Sequence, residues 1–307
     1  MNKEVISLSE DQQIYLTAYL HDHSPEMPLW RKRPAVLVLP GGGYMMTSDR
    51  EADPVALSFL AQGFHAFALR YSVASRATFP NPLRDVSRAM KIIRDHASTW
   101  GVLSDQIAVC GFSAGGHLAA SLGTLWNDAE IMQVAGVREG ENKPDALILC
   151  YPVISAINHA QADWFTTQID GRSREEICAK LSCELHVGPH TPPTFLFHTY
   201  DDELVPIENS LLFAQALTQA DIPFEMHLFQ HGAHGTSLAN ELSSSGMASM
   251  IDTSAEQWFD LATTWLWRLF GKPVSTSTGS VTKGRAHFSN PAVPHHHASA
   301  RGLTEKQ

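Results

Sequence analysis

The 307-residue sequence has no cluster of lysine or arginine and no long apolar run. Its formal net charge is −10, whereas proteins that bind nucleic acid usually carry a basic patch, so we expect no nucleic-acid partner. No run approaches the length that spans a bilayer, so we expect no membrane partner either. The first residues lack the apolar core of a signal peptide, which predicts a cytoplasmic protein.

Cysteine is scarce, with four residues in the whole chain. Cys110 and Cys150 end apolar runs of strand length, so they are predicted to be buried thiols and not bridge partners. Cys178 and Cys183 lie close together but show no metal-ligand spacing. The sequence therefore predicts no disulfide framework, no metal site and no cofactor, in a reducing compartment.

The chain does contain an alternation of short apolar runs with longer stretches of helical period. Such an alternation predicts an α/β fold, with a mostly parallel central sheet and helices on both faces. Strands are expected at residues 14–20 (half exposed), 35–39, 64–69, 107–110, 146–150, 194–198 and 224–229. Helices are expected at residues 54–62 and 83–98, directly after residue 113, from about residue 206 with Leu211 facing inward, and at 258–269.

Two segments fall outside this alternation. Residues 152–190 separate two predicted strands, and we expect them to form a small cap-like insertion over the functional site. Residues 275–307 are rich in serine, threonine, alanine and histidine, which predicts a poorly ordered C-terminal tail. The catalytic domain is therefore expected to span residues 1–274.

A serine stands at the tip of a predicted strand–turn–helix. Residues 111–115 read Gly-Phe-Ser-Ala-Gly, after a strand-like run and before a helix-like stretch. A turn of this kind pushes the serine hydroxyl into the open, where a histidine can deprotonate it. We expect a Cβ at Gly111 or Gly115 to collide where strand and helix approach each other. Ser113 is therefore the candidate nucleophile.

A serine nucleophile needs a histidine base and an acid that orients the histidine. In a sheet-based hydrolase these two follow the serine, each at the end of a later strand. Asp201 and Asp202 compete for the acid role, and we favour Asp202 because it lies deeper in its connector. For the base, His234 lies in a loop of small residues, whereas its rival His231 lies closer to the strand. Two other histidines are predicted to be structural, His117 and His198.

Acyl transfer also needs backbone N–H donors for the negatively charged oxygen of its tetrahedral intermediate. Ala114 follows the candidate nucleophile at a helix N-terminus and offers one such donor. We expect the other from residues 40–44, Pro-Gly-Gly-Gly-Tyr, where glycines let the chain turn its amides toward a substrate. Triple glycine also occurs in phosphate-binding loops, but the Lys-Ser/Thr pair of those loops does not follow here.

Together these motifs resemble the α/β-hydrolase superfamily, and more narrowly its short-chain carboxylesterases, the group similar to acetyl-xylan and feruloyl esterases. The resemblance covers about residues 10–270 and rests on residues 40–44, 69–72, 111–119, 201–211 and 232–235. It implies a catalytic triad of Ser113, Asp202 and His234, with an oxyanion hole at Gly42, Gly43 and Ala114. One departure is Pro40, where many relatives carry a histidine that braces the loop.

The resemblance implies a serine carboxylesterase that hydrolyses small acyl esters, with acetyl esters of sugars expected among its small-molecule substrates. Tyr44 and Trp164 are the expected substrate contacts, although packing is an alternative role for Trp164 and its neighbour Phe165. A competing hypothesis is an amide-cleaving hydrolase, such as an arylformamidase or a small peptidase, on the same scaffold. A more distant one is a non-catalytic binding protein, which normally involves loss of a triad member.

Overall fold

The computed structural model of the chain describes residues 1–157 and 171–273. Met1–Pro273 form one compact unit. Three predictions lie outside the described residues: the tail over 275–307, the central part of the insertion, and the substrate contact of Trp164 together with the packing of Phe165.

An eight-stranded sheet forms the centre of the described part, in the order β1-β2-β4-β3-β5-β6-β7-β8. β1 pairs with β2 and β2 with β4 in antiparallel fashion, and every pair from β4 across to β8 is parallel. The mostly parallel sheet predicted from the sequence is thus confirmed. The strands are β1 Asn2–Ser7, β2 Tyr15–Leu20, β3 Arg33–Leu39, β4 His65–Arg70, β5 Val102–Phe112, β6 Ala146–Cys150, β7 Thr194–Thr199 and β8 Phe224–Phe229.

Helices cover both faces of this sheet. Successive residues of β3 enter different cores: Leu37 packs in one with α2, α4 and α7, and Val38 packs in the other with α1 and α8. No helix in the described ranges is long and apolar enough to cross a bilayer. The helices are α1 Asp53–Ala61, α2 Asn81–Asp95, α3 Ala97–Trp100, α4 Ala114–Leu125, α5 Ala129–Ala135, α6 Arg174–Leu181, α7 Glu208–Gln219 and α8 Trp258–Phe270.

Two predictions about burial were wrong. The early strand β2 is buried along almost its whole length, because β1 pairs along its outer side and α1 packs on it. The sequence pattern did not reveal β1, whose side chains are mostly exposed. In α7, Leu211 is 45% exposed instead of inward, and Phe213 occupies the buried position.

The described part of the predicted insertion contains α6 and lies against α4. Ile177, Leu181 and Cys183 are buried there, and the Cys183 N–H donates to the Ile154 carbonyl at 3.0 Å. His117 Nε2 donates to the Leu181 carbonyl at 2.7 Å, which ties α4 to the end of α6. The cap-like position of the whole segment over the functional site stays a prediction.

The topology places the selected functional residues at one edge of the sheet. The glycine loop follows β3, Ser113 follows β5, Asp202 follows β7 and His234 follows β8. Because these strands run parallel, their carboxyl ends lie side by side, where ligands bind in open α/β sheets.

Candidate active site

Ser113 occupies the sharp turn between β5 and α4. Its backbone has φ 53° and ψ −118°, a strained conformation for a residue that carries a Cβ. Its N–H donates to the Cys150 carbonyl at 3.0 Å, and its own carbonyl accepts from His117 at 3.0 Å and Val153 at 3.3 Å. These bonds, from the end of β6 and the first turn of α4, hold the strained turn in place.

The turn leaves no room for a side chain at its two glycines. A Cβ at Gly111 would lie 2.2 Å from the Gly115 carbonyl oxygen, so strand and helix touch there as predicted. A Cβ at Gly115 would lie 2.1 Å from the Leu39 carbonyl oxygen, so it would collide with the end of β3 and not with β5. The second glycine therefore brings α4 close to the glycine loop.

Ser113, His234 and Asp202 form a chain of hydrogen bonds. Ser113 Oγ lies 2.8 Å from His234 Nε2, and His234 Nδ1 lies 2.7 Å from Asp202 Oδ2. An ionised carboxylate only accepts, so Nδ1 carries the proton and Nε2 turns its lone pair toward the serine hydroxyl. The structure thus brings together the three residues selected from the sequence, in the tautomer that proton removal from Ser113 requires.

Asp202 is buried and fully hydrogen-bonded. Its Oδ1 accepts from the Leu204 and Val205 N–H groups, both at 2.9 Å. His198 Nε2 donates to the Val205 carbonyl at 3.0 Å and lies 3.4 Å from Asp202 Oδ2. Burial alone would raise the pKa of Asp202, but hydrogen bonds from His198 and His234 outweigh it and hold that pKa well below its ordinary value. The carboxylate is therefore ionised at neutral pH.

The competing residues pair with each other at the surface. Asp201 Oδ2 lies 3.0 Å from His231 Nδ1, and Asp201 Oδ1 accepts from the Gly232 N–H at 2.9 Å. The His231 side chain is 67% exposed, whereas that of His234 is 13% exposed. This outer pair does not reach Ser113, so the geometry favours Asp202 and His234.

Three backbone N–H groups near Ser113 have no acceptor among the residues that the structure describes: those of Gly42, Gly43 and Ala114. Gly42 has φ 127°, and a Cβ there would lie 2.3 Å from the Met46 carbonyl oxygen, so this loop conformation requires glycine. Gly42 and Gly43 line the same hollow as Ser113. The loop therefore offers donors beside the candidate nucleophile.

A first hollow of about 510 Å³ opens beside Ser113 and His234. The apolar side chains that line it remain open to solvent, with Met45 62%, Met46 55% and Leu204 42% exposed. A second hollow of about 450 Å³ shares His234 and Leu204 with the first. It carries three carboxylates, those of Asp201, Glu203 and Asp252. The two hollows thus adjoin at His234 and Leu204. The apolar half of the combined site lies beside Ser113, and the carboxylate-rich half lies beyond His234.

Tyr44 lies in the core, and the structure does not place it at either hollow. Its side chain is 3% exposed, and its hydroxyl lies 2.8 Å from His117 Nδ1. His117 is itself buried, which lowers its pKa to about 4, so the neutral ring accepts the Tyr44 hydroxyl proton. Tyr44 therefore anchors the end of the glycine loop to α4, in place of the expected substrate contact.

The sequence did not point to Glu51, which the structure places in the wall of the first hollow. Glu51 is 3% exposed and accepts hydrogen bonds from the Gly41 N–H and the Tyr151 hydroxyl, each at 2.8 Å. The neighbouring Arg50 donates to the carbonyls of Gly235 and Ser243, each at 2.6 Å. The only sequence signal for Glu51 is a carboxylate shortly after the glycine loop, which is ordinarily a surface residue.

The chain has four cysteines and sixteen histidines, residue types that commonly bind metal ions. All four cysteines are free, and Cys110 and Cys150 are buried as predicted. Among residues 1–157 and 171–273, no group of three or more histidine, cysteine, aspartate or glutamate side chains is placed to hold a metal ion.

Comparison with known proteins matches residues 25–217 to the family described as BD-FAE. The chain is 36% identical over 234 residues to endo-1,4-beta-xylanase B of Butyrivibrio fibrisolvens, and 28% identical over 239 residues to acetylxylan esterase of Xylanibacter ruminicola. These matches cover 74% and 76% of the chain but 35% and 46% of the relatives, so the chain spans less than half the length of either. The solved structure of MGS-M1, an alpha/beta hydrolase enzyme from a Medee basin deep-sea metagenome library, is 39% identical with a TM-score of 0.72, over 88% of this chain and 98% of that one.

Proposed function

Because the chain belongs to the BD-FAE family and has the α/β-hydrolase fold, we propose that it is a serine carboxylesterase for small acyl esters, with acetyl esters of sugars as the substrate class. The observation that carries this proposal is the hydrogen-bonded chain from Ser113 through His234 to Asp202, beside an open hollow. Ser113 is the nucleophile, His234 the general base and acid, and Asp202 the residue that orients and stabilises the histidine.

Acylation begins when His234 Nε2 takes the Ser113 hydroxyl proton and Oγ attacks the ester carbonyl carbon. The carbonyl oxygen becomes an oxyanion, which accepts hydrogen bonds from the backbone N–H of Ala114 and of the loop residues Gly42 and Gly43. The protonated His234 then gives its Nε2 proton to the leaving alkoxide, the C–O bond of the ester breaks, and the acyl group remains on Ser113.

Deacylation repeats the same steps with water. His234 takes a proton from a water molecule, whose oxygen attacks the acyl carbon on Ser113. The bond to Oγ breaks and the proton returns to Ser113, which restores the resting site. Asp202 remains ionised throughout and stabilises the positive charge that His234 carries in both halves of the reaction.

The two hollows support the proposed substrate class. The apolar half is shallow, since Met45 and Met46 remain more than half exposed, so a long acyl chain would gain little burial there. The other half carries carboxylates, which accept hydrogen bonds from the hydroxyl groups of a sugar. The relative named acetylxylan esterase supports an acetyl ester in particular.

A panel of substrates tests this function. We expect kcat/KM to be highest for p-nitrophenyl acetate, to fall toward the octanoate, and to be measurable for acetylated xylose. Matched anilides and formanilides report the competing amide-cleaving activity. A rise of about tenfold or more from acetate to octanoate would contradict the small-acyl proposal, because it would require a buried acyl channel.

The ionisation of Asp202 predicts a simple pH dependence. His234 must be neutral to accept the Ser113 proton, so kcat/KM for p-nitrophenyl acetate should fall at acid pH when His234 binds a proton. The pKa of Asp202 is held well below its ordinary value of about 3.9, so its carboxylate adds no second step above that pH. A profile that falls off with two protons on the acid side in both the wild type and Glu51→Gln would contradict this assignment, because Glu51, whose pKa burial raises, is the other carboxylate in the wall of the first hollow.

A further inference from the structure

Glu51 connects three parts of the candidate site. A Cβ at Gly41 would lie 2.8 Å from Glu51 Oε2 and 2.9 Å from Ser113 Cβ, so the carboxylate lies directly behind the glycine loop where the loop meets the serine. Its Oε1 lies 4.0 Å from the position of a Cβ at Gly235, the residue that follows His234. Glu51 is therefore next to the loop, the nucleophile and the base at once.

The hydrogen-bond donors around Glu51 fit an ionised carboxylate. The Gly41 N–H can only donate, and it occupies Oε2. The Tyr151 hydroxyl accepts from the Ser237 N–H at 2.8 Å, which leaves its own proton to donate to Oε1. Each carboxylate oxygen thus accepts a hydrogen bond, as expected of an ionised carboxylate, which only accepts.

Several charged and titratable groups surround Glu51 and His234. Burial raises the pKa of Glu51 above its ordinary value, and the hydrogen bonds from Tyr151 and Gly41, the charge of Arg50 and that of His234 when it is protonated offset only part of the rise. The other titratable groups that interact with Glu51 are neutral at pH 7, Tyr71 and Cys150. His234 meets Asp202 at Nδ1, Ser113 at Nε2 and the Tyr151 ring at 5.1 Å between centroids.

We propose that ionised Glu51 is a positioning residue that acts on both halves of the site: it fixes Gly41, and with it the oxyanion loop, and its negative charge stabilises protonated His234. This proposal rests on the proposed function, because it assigns His234 a proton during the reaction. Nothing in the roles of Ser113, His234 and Asp202 requires a second carboxylate behind the loop. Its burial in the wall of the hollow, with both oxygens engaged, is what indicates the role.

Glu51→Gln tests the charge with little change in shape. A nearby anion raises the pKa of a histidine, so its loss should move the acid limb of the pH profile to lower pH, by roughly one unit. The plateau rate should fall about tenfold or more, because imidazolium formation and the Gly41 contact are both weakened. The measurement is the second-order rate of covalent labelling by a fluorophosphonate against pH, together with kcat/KM for p-nitrophenyl acetate.

If Glu51 had a purely structural role, Glu51→Gln would lower the plateau rate without moving the acid limb of the pH profile. That result would overturn the electrostatic half of the proposal. Glu51→Asp retains the charge, so its limb should remain at the wild-type pH while its rate falls. A limb that moves in this variant would count equally against the proposal, and the variant keeps the test decisive if the glutamine protein does not fold. Glu241→Gln, at an exposed carboxylate, is the matched control and should change neither quantity.

Failure of the proposed function has a different signature. A wild-type protein that the fluorophosphonate does not label would contradict the serine mechanism, and Glu51 would have no reaction to support. A wild-type protein that is labelled but does not hydrolyse esters would contradict only the substrate class. In that case the pH dependence of labelling still decides the role of Glu51.

Discussion

Ser113→Ala is expected to lower kcat for p-nitrophenyl acetate by roughly 10⁵-fold or more. The substitution removes the oxygen that attacks the ester carbonyl in acylation, while His234 and the backbone N–H donors of the loop remain. Residual turnover should then come from water activated by His234 and from the oxyanion donors. Because the serine has φ 53° at a strained turn, alanine at this position keeps the same backbone cost and should fold normally.

Two measurements distinguish this result from unfolding. The Ser113→Ala protein should keep the thermal midpoint of the wild type within a few degrees, and a fluorophosphonate should no longer add its mass to the peptide that contains residue 113. Ser254→Ala, at an exposed serine, is the control and should retain both labelling and activity. Substantial turnover by the alanine variant would mean that another group attacks the ester.

The candidate nucleophile and its partners could be selected from the sequence because the geometry of such a turn is encoded locally. The Ser113 turn requires glycine at residue 111, where β5 touches α4, and at residue 115, where α4 touches the end of β3. This spacing of glycines around a serine is visible in the sequence. The choice between His231 and His234 was harder, since both lie in one loop after β8. It depended on the small residues around His234, which let the chain turn the inner ring back over the sheet.

The sequence did not predict contacts that depend on tertiary packing. Glu51 is a carboxylate without a local motif, and its role follows from the meeting of the glycine loop, Tyr151 and the loop of His234. Tyr44 was expected at the substrate because it ends the glycine loop, yet α4 provides a buried partner in His117. His198 was expected to be structural. Its Nε2 lies 3.4 Å from Asp202 Oδ2, because His198 lies near the end of β7 and Asp202 follows that strand.

Asp202→Asn should lower kcat/KM by about 10⁴-fold, while Asp201→Asn should change it by less than about threefold. The amide introduced at position 202 would keep its oxygen toward the Leu204 and Val205 N–H groups, so its NH₂ would face His234. An NH₂ donor at Nδ1 forces the proton onto Nε2, and the ring can then no longer accept the Ser113 proton. The same NH₂ would also face the His198 N–H, and two hydrogen-bond donors that face each other destabilise the folded protein.

The two variants are a matched pair, since each replaces one carboxylate of adjacent residues that both contact a histidine. Only the inner one is connected to Ser113, so kcat/KM for p-nitrophenyl acetate should separate them by more than a thousandfold, on the same scale of roughly 10⁴ for a lost orienting carboxylate. Thermal midpoints show whether Asp202→Asn acts through catalysis or folding. Equal losses in the two variants would contradict the assignment of Asp202 alone as the orienting carboxylate, and the triad would then have to be reassigned.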